Sequence, residues 1–204
     1  MIQLNVTSLS KQFGTNRVFT DLSFSAEAGV MGIAGSNGSG KSTLLKCVSG
    51  LMKSSSGSAE WIVDGIATDK QSLKPLIGFA APYIQLYEEL TVNENLKFIT
   101  DINKNYENIL AAELLTYLGA SEFANSHFGE LSTGQQQRAK LAAALIHKPR
   151  ILLLDEPGSN LDKKGRKVIE SIISRFREKD RLVLLASNQT YELDLCDHVL
   201  NLQS

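Results

Sequence analysis

Two short stretches of the chain carry side chains able to do chemistry together: residues 35 to 43 read GSNGSGKST, and residues 151 to 156 read ILLLDE. The first fits G-x-x-x-x-G-K-[ST] and lies between an apolar run, VMGIAG, and a segment of helical spacing, STLLKCVSG, the setting that a phosphate-holding loop requires. Gly35, Gly38 and Gly40 let the backbone curl so that successive N–H groups converge on phosphate oxygens, and the dipole of the following helix adds positive potential there. Lys41 is expected to contact the β- and γ-phosphates and Ser42 to bind magnesium, with Ser36, Asn37, Ser39 and Thr43 completing the nucleotide-binding set. A flexible glycine turn would leave the Lys-Ser-Thr ending unexplained. The second stretch supplies what the first lacks: Asp155 to hold the magnesium through its water shell, and Glu156 to orient and polarise an attacking water. Two acids capping a strand end is the alternative for that stretch taken alone.

The surrounding pattern gives these residues a frame. IQLNVTSLSKQF and LSFSA alternate as strands, VMGIAG is a short apolar strand, and KSSSGSAEWIVDG reads as a turn and a strand ending in Asp-Gly. From about Thr91 to His147 the pattern is mostly helical, with polar breaks at DINKNYEN and GASEFANSHFGE. RILLLDEP and RLVLLASN read as buried parallel strands separated by the helix KVIESIISRFREK. The expected fold class is α/β: one phosphate-loop core over residues 1–204, with a small antiparallel β part and an inserted helical part at roughly 83–147. No internal repeat is visible.

Composition excludes several other classes. With 204 residues, 43% of them hydrophobic, the chain can bury an ordinary globular core. Its 21 basic and 22 acidic side chains leave a formal charge of -1, so no global field favours nucleic acid or anionic lipid. Cys47 and Cys196 lie in no CxxC pair and are read as buried thiols of a reducing compartment. The amino terminus lacks a basic segment followed by an apolar run, and ILLL and LVLLA are far too short to span a bilayer, so any membrane must be supplied by another chain.

Residues 131 to 138, LSTGQQQR, hold no acid, base or nucleophile, and alone they read as a helix cap in which Ser132 and Gln135 form a capping box. Taken with the other motifs they mean more. GSNGSGKST, LSTGQ, LLLDEP and SNLD, in that order, resemble the ATP-binding cassette (ABC) family over essentially the whole chain. In that family LSTGQ is the signature sequence, and it closes over the γ-phosphate held by a second cassette packed head to tail. The resemblance therefore implies ATP and Mg2+ as cofactors, and Ser132, Gly134 and Gln135 as half of a site completed by another cassette, identical or different. It also implies a membrane-spanning transporter subunit as partner and a place on the cytoplasmic face of the cell membrane. Phe13 occupies the position of the ring that stacks on adenine, the alternative being a half-buried strand phenylalanine. In Ser159 to Asp162, the aspartate is the family's link between the two sites. The segment IGFAAPYIQLYEELTVNENL resembles the one that contacts the membrane subunit.

The chain departs from the family at three positions. Thr133 replaces the first signature glycine, a mild change that keeps the hydroxyl of Ser132 and the amides. The glutamine that touches magnesium and water in the family falls on Pro82, which has no donor; Gln85 is a metal-site candidate if the loop takes a different path. The family's switch histidine is Asn188, whose amide donates a hydrogen bond but carries no proton or charge, so hydrolysis is expected to slow by ~10- to 1000-fold. None of His127, His147 and His198 aligns with that position; all three are read as surface or packing residues, Lys163 to Lys167 as a solvated basic cluster and Trp61 as packing.

An ATPase subunit of a membrane transporter is the function these features imply, with Glu156, Asn188 and Lys41 as the catalytic set. GSNGSGKSTLL and the stretch from LSTGQQQR to LLLDEP are similar to the haem-exporter ATPase of cytochrome c maturation. The chain ends at Ser204, shortly after the last expected strand, so no regulatory tail is expected. A soluble ATP-driven cofactor-assembly factor and a nucleotide-dependent binding module that barely hydrolyses ATP are the alternatives.

Overall fold

Ile2, Leu4 and Val6 are buried while the residues between them are less so, and this alternation makes β1 (Ile2–Phe13) a strand with one covered face. It pairs antiparallel with β2 (Asn16–Glu27). The chain then enters β3 (Gly29–Ala34), the glycine-rich loop and α1 (Lys41–Val48). It returns to the first sheet as β4 (Ser56–Val63), antiparallel to β1, and β5 (Ile66–Thr68). The Asp64-Gly65 turn between them has positive φ at both residues, 54° and 81°, the geometry that favours such a pair in a tight hairpin. Trp61, 2% exposed, donates its indole N–H to the Val48 carbonyl at 2.8 Å and so ties this sheet to α1.

The structure is a computed structural model that describes residues 1–103, 108–177 and 180–202. Beyond β5 come α2 (Lys70–Leu73), β6 (Ile77–Ala80), α3 (Val92–Asn103), α4 (Asn108–Tyr117) and α5 (Thr133–Leu145). Then follow β7 (Ile151–Asp155), α6 (Lys163–Arg177), β8 (Leu182–Ser187), α7 (Thr190–Leu193) and β9 (His198–Asn201). The second sheet is parallel in the order β6-β7-β8-β3-β9. Every residue of β7 and β8 is buried, the continuous apolar pattern of parallel strands covered on both faces. Leu152, Leu154, Val183 and Leu185 pack with Phe128, Leu141 and Ile172 on one side; Leu153, Leu184 and Ile33 pack with Leu44, Leu45 and Trp61 on the other.

The α/β architecture and the parallel pairing of β7 with β8 match the sequence reading. Strands β6 and β9 lie where that reading assigned none, and α6 starts at Lys163, four residues before the expected KVIES run. Cys47 is buried, but Cys196 is only half-buried, its thiol pushed up to about 12 by burial first and Asp197 second. Part of the expected break at DINKNYEN (104–107), the end of the helix at 178–179 and Ser204 lie outside the described residues. Among the described residues no helix is long and apolar enough to cross a membrane.

Helix α5 sits directly on the backbone of β6. A Cβ at Gly78 would overlap the Ala144 carbonyl oxygen and stand 2.8 Å from Pro149 Cγ, so only glycine fits the seat. Gly78→Ala is expected to cost about 1–3 kcal/mol of unfolding free energy, as overpacking against rigid backbone does. Urea denaturation measures it, and a loss under ~0.5 kcal/mol, the range of neutral surface changes, would mean that α5 shifts freely on the sheet.

Candidate functional site

The loop after β3 is packed at its two ends, near Gly35 and Gly40, and open at Gly38 between them. Gly38 and Gly40 have φ of 88° and 97°, which glycine adopts without steric cost. A Cβ at Gly35 would overlap the Ser39 hydroxyl and come within 3.1 Å of the Leu202 carbonyl oxygen. No side chain caps the start of α1, so the first N–H groups of the helix stay available to an anion. Lys41, 6% exposed, donates its ammonium to the carbonyls of Gly35 (2.8 Å) and Ser36 (3.1 Å) and stands 3.3 Å from Glu156 Oε1.

At the end of β7, two adjacent carboxylates meet opposite environments. Asp155 is 1% exposed, and neither of its oxygens has a hydrogen-bond partner among the described residues. Burial raises its pKa, outweighing the nearby Ser42 and Tyr83 hydroxyls and the Lys41 and Lys46 cations, which favour the ionised form. A buried carboxylate with unsatisfied oxygens beside a serine hydroxyl is the donor set of a hard dication, so Ser42 and Asp155 fit Mg2+. Glu156 is partly exposed and adopts φ of 47°, a left-handed geometry unusual for a side-chain-bearing residue. Its N–H is fixed to the Ala186 carbonyl at 2.8 Å, and this bent exit from the strand brings the carboxylate to Lys41.

The loop after β6 approaches Asp155 through a residue that sequence reasoning missed. Tyr83 is 39% exposed, but its hydroxyl end is desolvated, which raises its pKa first, with the Asp155 charge second, and Lys46 Nζ lies 3.6 Å from its ring centroid. The preceding Pro82 carbonyl accepts the Lys140 ammonium at 2.9 Å, which anchors the loop to α5. Gln85 is exposed and makes no hydrogen bond among the described residues. The side chain of this loop that faces the candidate metal position is therefore the phenol. Its signal in the sequence is a polar ring next to Pro82, where the family pattern points to an amide.

At the end of β8, the Asn188 side-chain amide donates to Asn37 Oδ1 in the phosphate loop at 2.9 Å and accepts from the Gln189 side chain at 2.8 Å. The structure thus gathers Gly35 to Thr43, Asp155, Glu156 and Asn188 at the carboxyl ends of β3, β7 and β8, where open α/β sheets place ligands.

Ser132, Gly134 and Gln135 lie apart from that group. Ser132 caps α5 in a reciprocal capping box with Gln135, donating its N–H to Gln135 Oε1 at 2.9 Å. A Cβ at Gly134 would stand 3.1 Å from the Asn160 carbonyl, so the start of α5 neighbours its own chain's 158–162 loop. Gln137, 5% exposed, donates to the Pro157 carbonyl at 3.0 Å; Arg138 reaches Asp162 at 3.2 Å, and Asp162 accepts the Gly165 N–H at 2.7 Å. No hydrogen bond or ion pair joins Ser132, Gly134 or Gln135 to the phosphate loop among the described residues. Phe13 ends β1 with its ring 50% exposed, 4.6 Å from Lys11 Nζ. Elsewhere, Arg166 stacks on Tyr191 at 4.7 Å, His147 contacts the Ile77 carbonyl at 3.0 Å, and His127 and His198 are exposed.

Comparison with known proteins gives this geometry a family. The ABC transporter family model matches residues 19–159. The linearmycin resistance ATP-binding protein LnrL of Bacillus subtilis is 32% identical over 203 residues, 96% of this chain and 65% of that protein. The glutamine transport ATP-binding protein GlnQ of Escherichia coli is 34% identical over 192 residues, 89% of this chain and 79% of that protein. The chain thus spans just under two thirds of the first of these relatives. Among solved structures, the dimeric ABC transporter cassette MJ0796 superposes with a TM-score of 0.84 at 26% identity, covering 98% of this chain and 94% of that one. A putative ABC transporter ATP-binding protein from Pyrococcus furiosus superposes at 0.80 with 27% identity, covering 98% and 97%. With its phosphate loop, paired acids and signature helix in the order and places described above, the chain belongs to the ABC transporter family, as an ATP-binding cassette.

Proposed function

We propose that the chain binds MgATP and hydrolyses it as the ATPase subunit of an ABC transporter, on the cytoplasmic face of a membrane spanned by a separate subunit. The observation that carries this reading is the unpartnered, buried Asp155 beside Ser42, next to a Glu156 held 3.3 Å from Lys41. Lys41 and the free N–H groups at the start of α1 hold the β- and γ-phosphates, and Phe13 offers its exposed ring to adenine. Ser42 and Asp155 would hold Mg2+, which supplies charge neutralisation between the β- and γ-phosphates when bound. Glu156 orients a water and draws off its proton as the water oxygen bonds to the γ-phosphorus. The bond from that phosphorus to the bridging oxygen breaks, ADP keeps the electron pair, and inorganic phosphate leaves. Asn188 hydrogen-bonds the γ-phosphate in place of Asn37.

The separation of Ser132, Gly134 and Gln135 from their own phosphate loop supports a second cassette as partner, identical or different, whose nucleotide they cover. The MJ0796 cassette is a dimer and has been captured with ADP and Pi. The T-shaped pair Tyr87–Phe98, with centroids 5.1 Å apart, is exposed near Ile102 and offers an apolar seat for the membrane subunit. Co-purification with a membrane protein separates this reading from a soluble cofactor-assembly ATPase. A second reading, a module that dimerises on ATP with little turnover, is favoured by Asn188 and by the absence of a donor at Pro82.

ATP turnover at concentrations that populate the dimer tests both readings. Glu156→Gln is expected to lower kcat by ~100-fold or more, and Asn188→His to raise it by ~10-fold. A parent rate that Asn188→His leaves unchanged would show that Asn188 already performs the switch role in full. Tyr83→Phe is expected to raise the Mg2+ concentration for half-maximal nucleotide affinity by ~2- to 10-fold, the value of one hydrogen bond. An unchanged Mg2+ titration would remove the phenol from the metal's surroundings.

A further inference from the structure

One buried carboxylate lies outside the reaction as described and bonds both loops that serve it. Glu192, on the single-turn helix α7, is 0% exposed. Its Oε1 accepts the Gly158 N–H at 2.7 Å, two residues beyond Glu156, and the Tyr191 hydroxyl at 3.2 Å. Its Oε2 accepts the hydroxyl of Ser187, the residue before Asn188. That serine oxygen accepts the Gln189 N–H at 2.9 Å, so the backbone on either side of Asn188 is fixed through the same carboxylate. No cation pairs with Glu192 among the described residues, so these hydrogen bonds alone hold its carboxyl group. Burial is the first cause of its raised pKa, and the Glu156 charge adds to it.

The fit leaves no slack. A Cβ at Gly158 would overlap both Glu192 Oε1 and the Tyr191 hydroxyl, so the loop approaches the carboxylate as closely as a backbone can. Beyond Gly158 that loop runs through Ser159 and Asn160, beside Gly134, to Asp162, which holds Arg138 of α5. On the other side, Asn188 is bonded to Asn37 in the phosphate loop. A continuous chain of contacts therefore runs from phosphate loop to Asn188, through Ser187 and Glu192 to Gly158, and on to the start of α5, the half-site offered to a second cassette. Tyr191, stacked beneath Arg166 of α6, closes the side of the clamp.

We propose that Glu192 is a positioning residue that locks the loop after Glu156 to the loop carrying Asn188, so that occupancy at the phosphate loop is felt by residues 158–162. Among the described residues it makes no hydrogen bond or ion pair with the phosphate loop or the paired acids, and so acts through the two loops it joins. This rests on the hydrolysis reading for its kinetic consequence, but the mechanical link stands on the hydrogen bonds themselves.

Two measurements test it on the full chain. In ATP turnover, Glu192→Ala is expected to lower kcat by ~10- to 100-fold while KM and ADP affinity stay within ~3-fold, the pattern of a contact that counts only in the transition state. Ser187→Ala, which removes the bond to Glu192 and the bond from the Gln189 N–H, should lower kcat less and add little when combined with Glu192→Ala. Additive losses, or ADP affinity falling in step with kcat, would overturn the proposal. In amide hydrogen exchange, MgADP should protect residues 158–162 in the parent and in Glu192→Gln in part, but not in Glu192→Ala, with the phosphate loop protected in all three. Equal protection of 158–162 in parent and Glu192→Ala would overturn the link. A parent that turns over no ATP removes the hydrolysis reading and leaves the exchange experiment to decide this one.

Discussion

The register of three parallel strands is the constraint on which the site depends. Ala34 of β3 lies opposite Ser187 of β8, and Asp155 of β7 opposite Ala186, so the three strands end within one residue of each other. The side chains that follow, from Gly35, Glu156 and Asn188 onward, therefore leave the sheet at the same edge. Nothing in the loops themselves could set this alignment. It is imposed by Leu152 to Leu154 and Leu182 to Leu185, all with no exposure, because a one-residue slip would turn each strand's two packed faces over. Apolar residues far from any phosphate thus fix the distance between Lys41 and Glu156.

Burial then divides the labour of the two carboxylates. Both ride on one strand end, but Asp155 stays in the sheet's covered layer whereas Glu156 leaves it with a positive φ. Desolvation penalises the charged form of Asp155, and the cost is one that a bound dication relieves better than any hydrogen bond, which suits it to metal holding. Glu156 keeps contact with solvent and with Lys41, which suits it to handling a water molecule's proton. Exchanging the two residues would keep the composition and lose both proposed roles.

Much of this was legible in the sequence, and the reason lies in which features are local. The phosphate loop, the capping box at Ser132 and the Asp64-Gly65 turn are encoded within a few residues by backbone requirements, and each formed where its residues specify. Strands β7 and β8 announce themselves because only doubly covered strands are apolar at every position. Strand β6 is shorter, with glycine at its second position, and is a strand because Gly78 lets α5 rest on it, a fact of packing. Tyr83 and Glu192 were illegible for the same reason. Each matters through a partner far along the chain, Asp155 for one and Gly158 for the other, and no spacing rule connects them. Gln85 carries the amide that the metal site would need, but the loop directs it to solvent instead.

Helix α5 draws these threads together, because its side chains hold three of the loops around the site. Lys140 holds the Pro82 carbonyl of the loop bearing Tyr83, Gln137 holds the Pro157 carbonyl next to Glu156, and Arg138 holds Asp162. Lys140 and Gln137 are buried, so these bonds are not exchanged with water without cost. A shift of α5 that brings Ser132 onto a neighbouring cassette must therefore drag the Tyr83 loop and the Glu156 loop with it, or break buried hydrogen bonds. That coupling asks nothing of the residue at position 188. It explains how a cassette with asparagine there retains a mechanical path between the helix start it offers to a partner and the acids that surround its own phosphate loop.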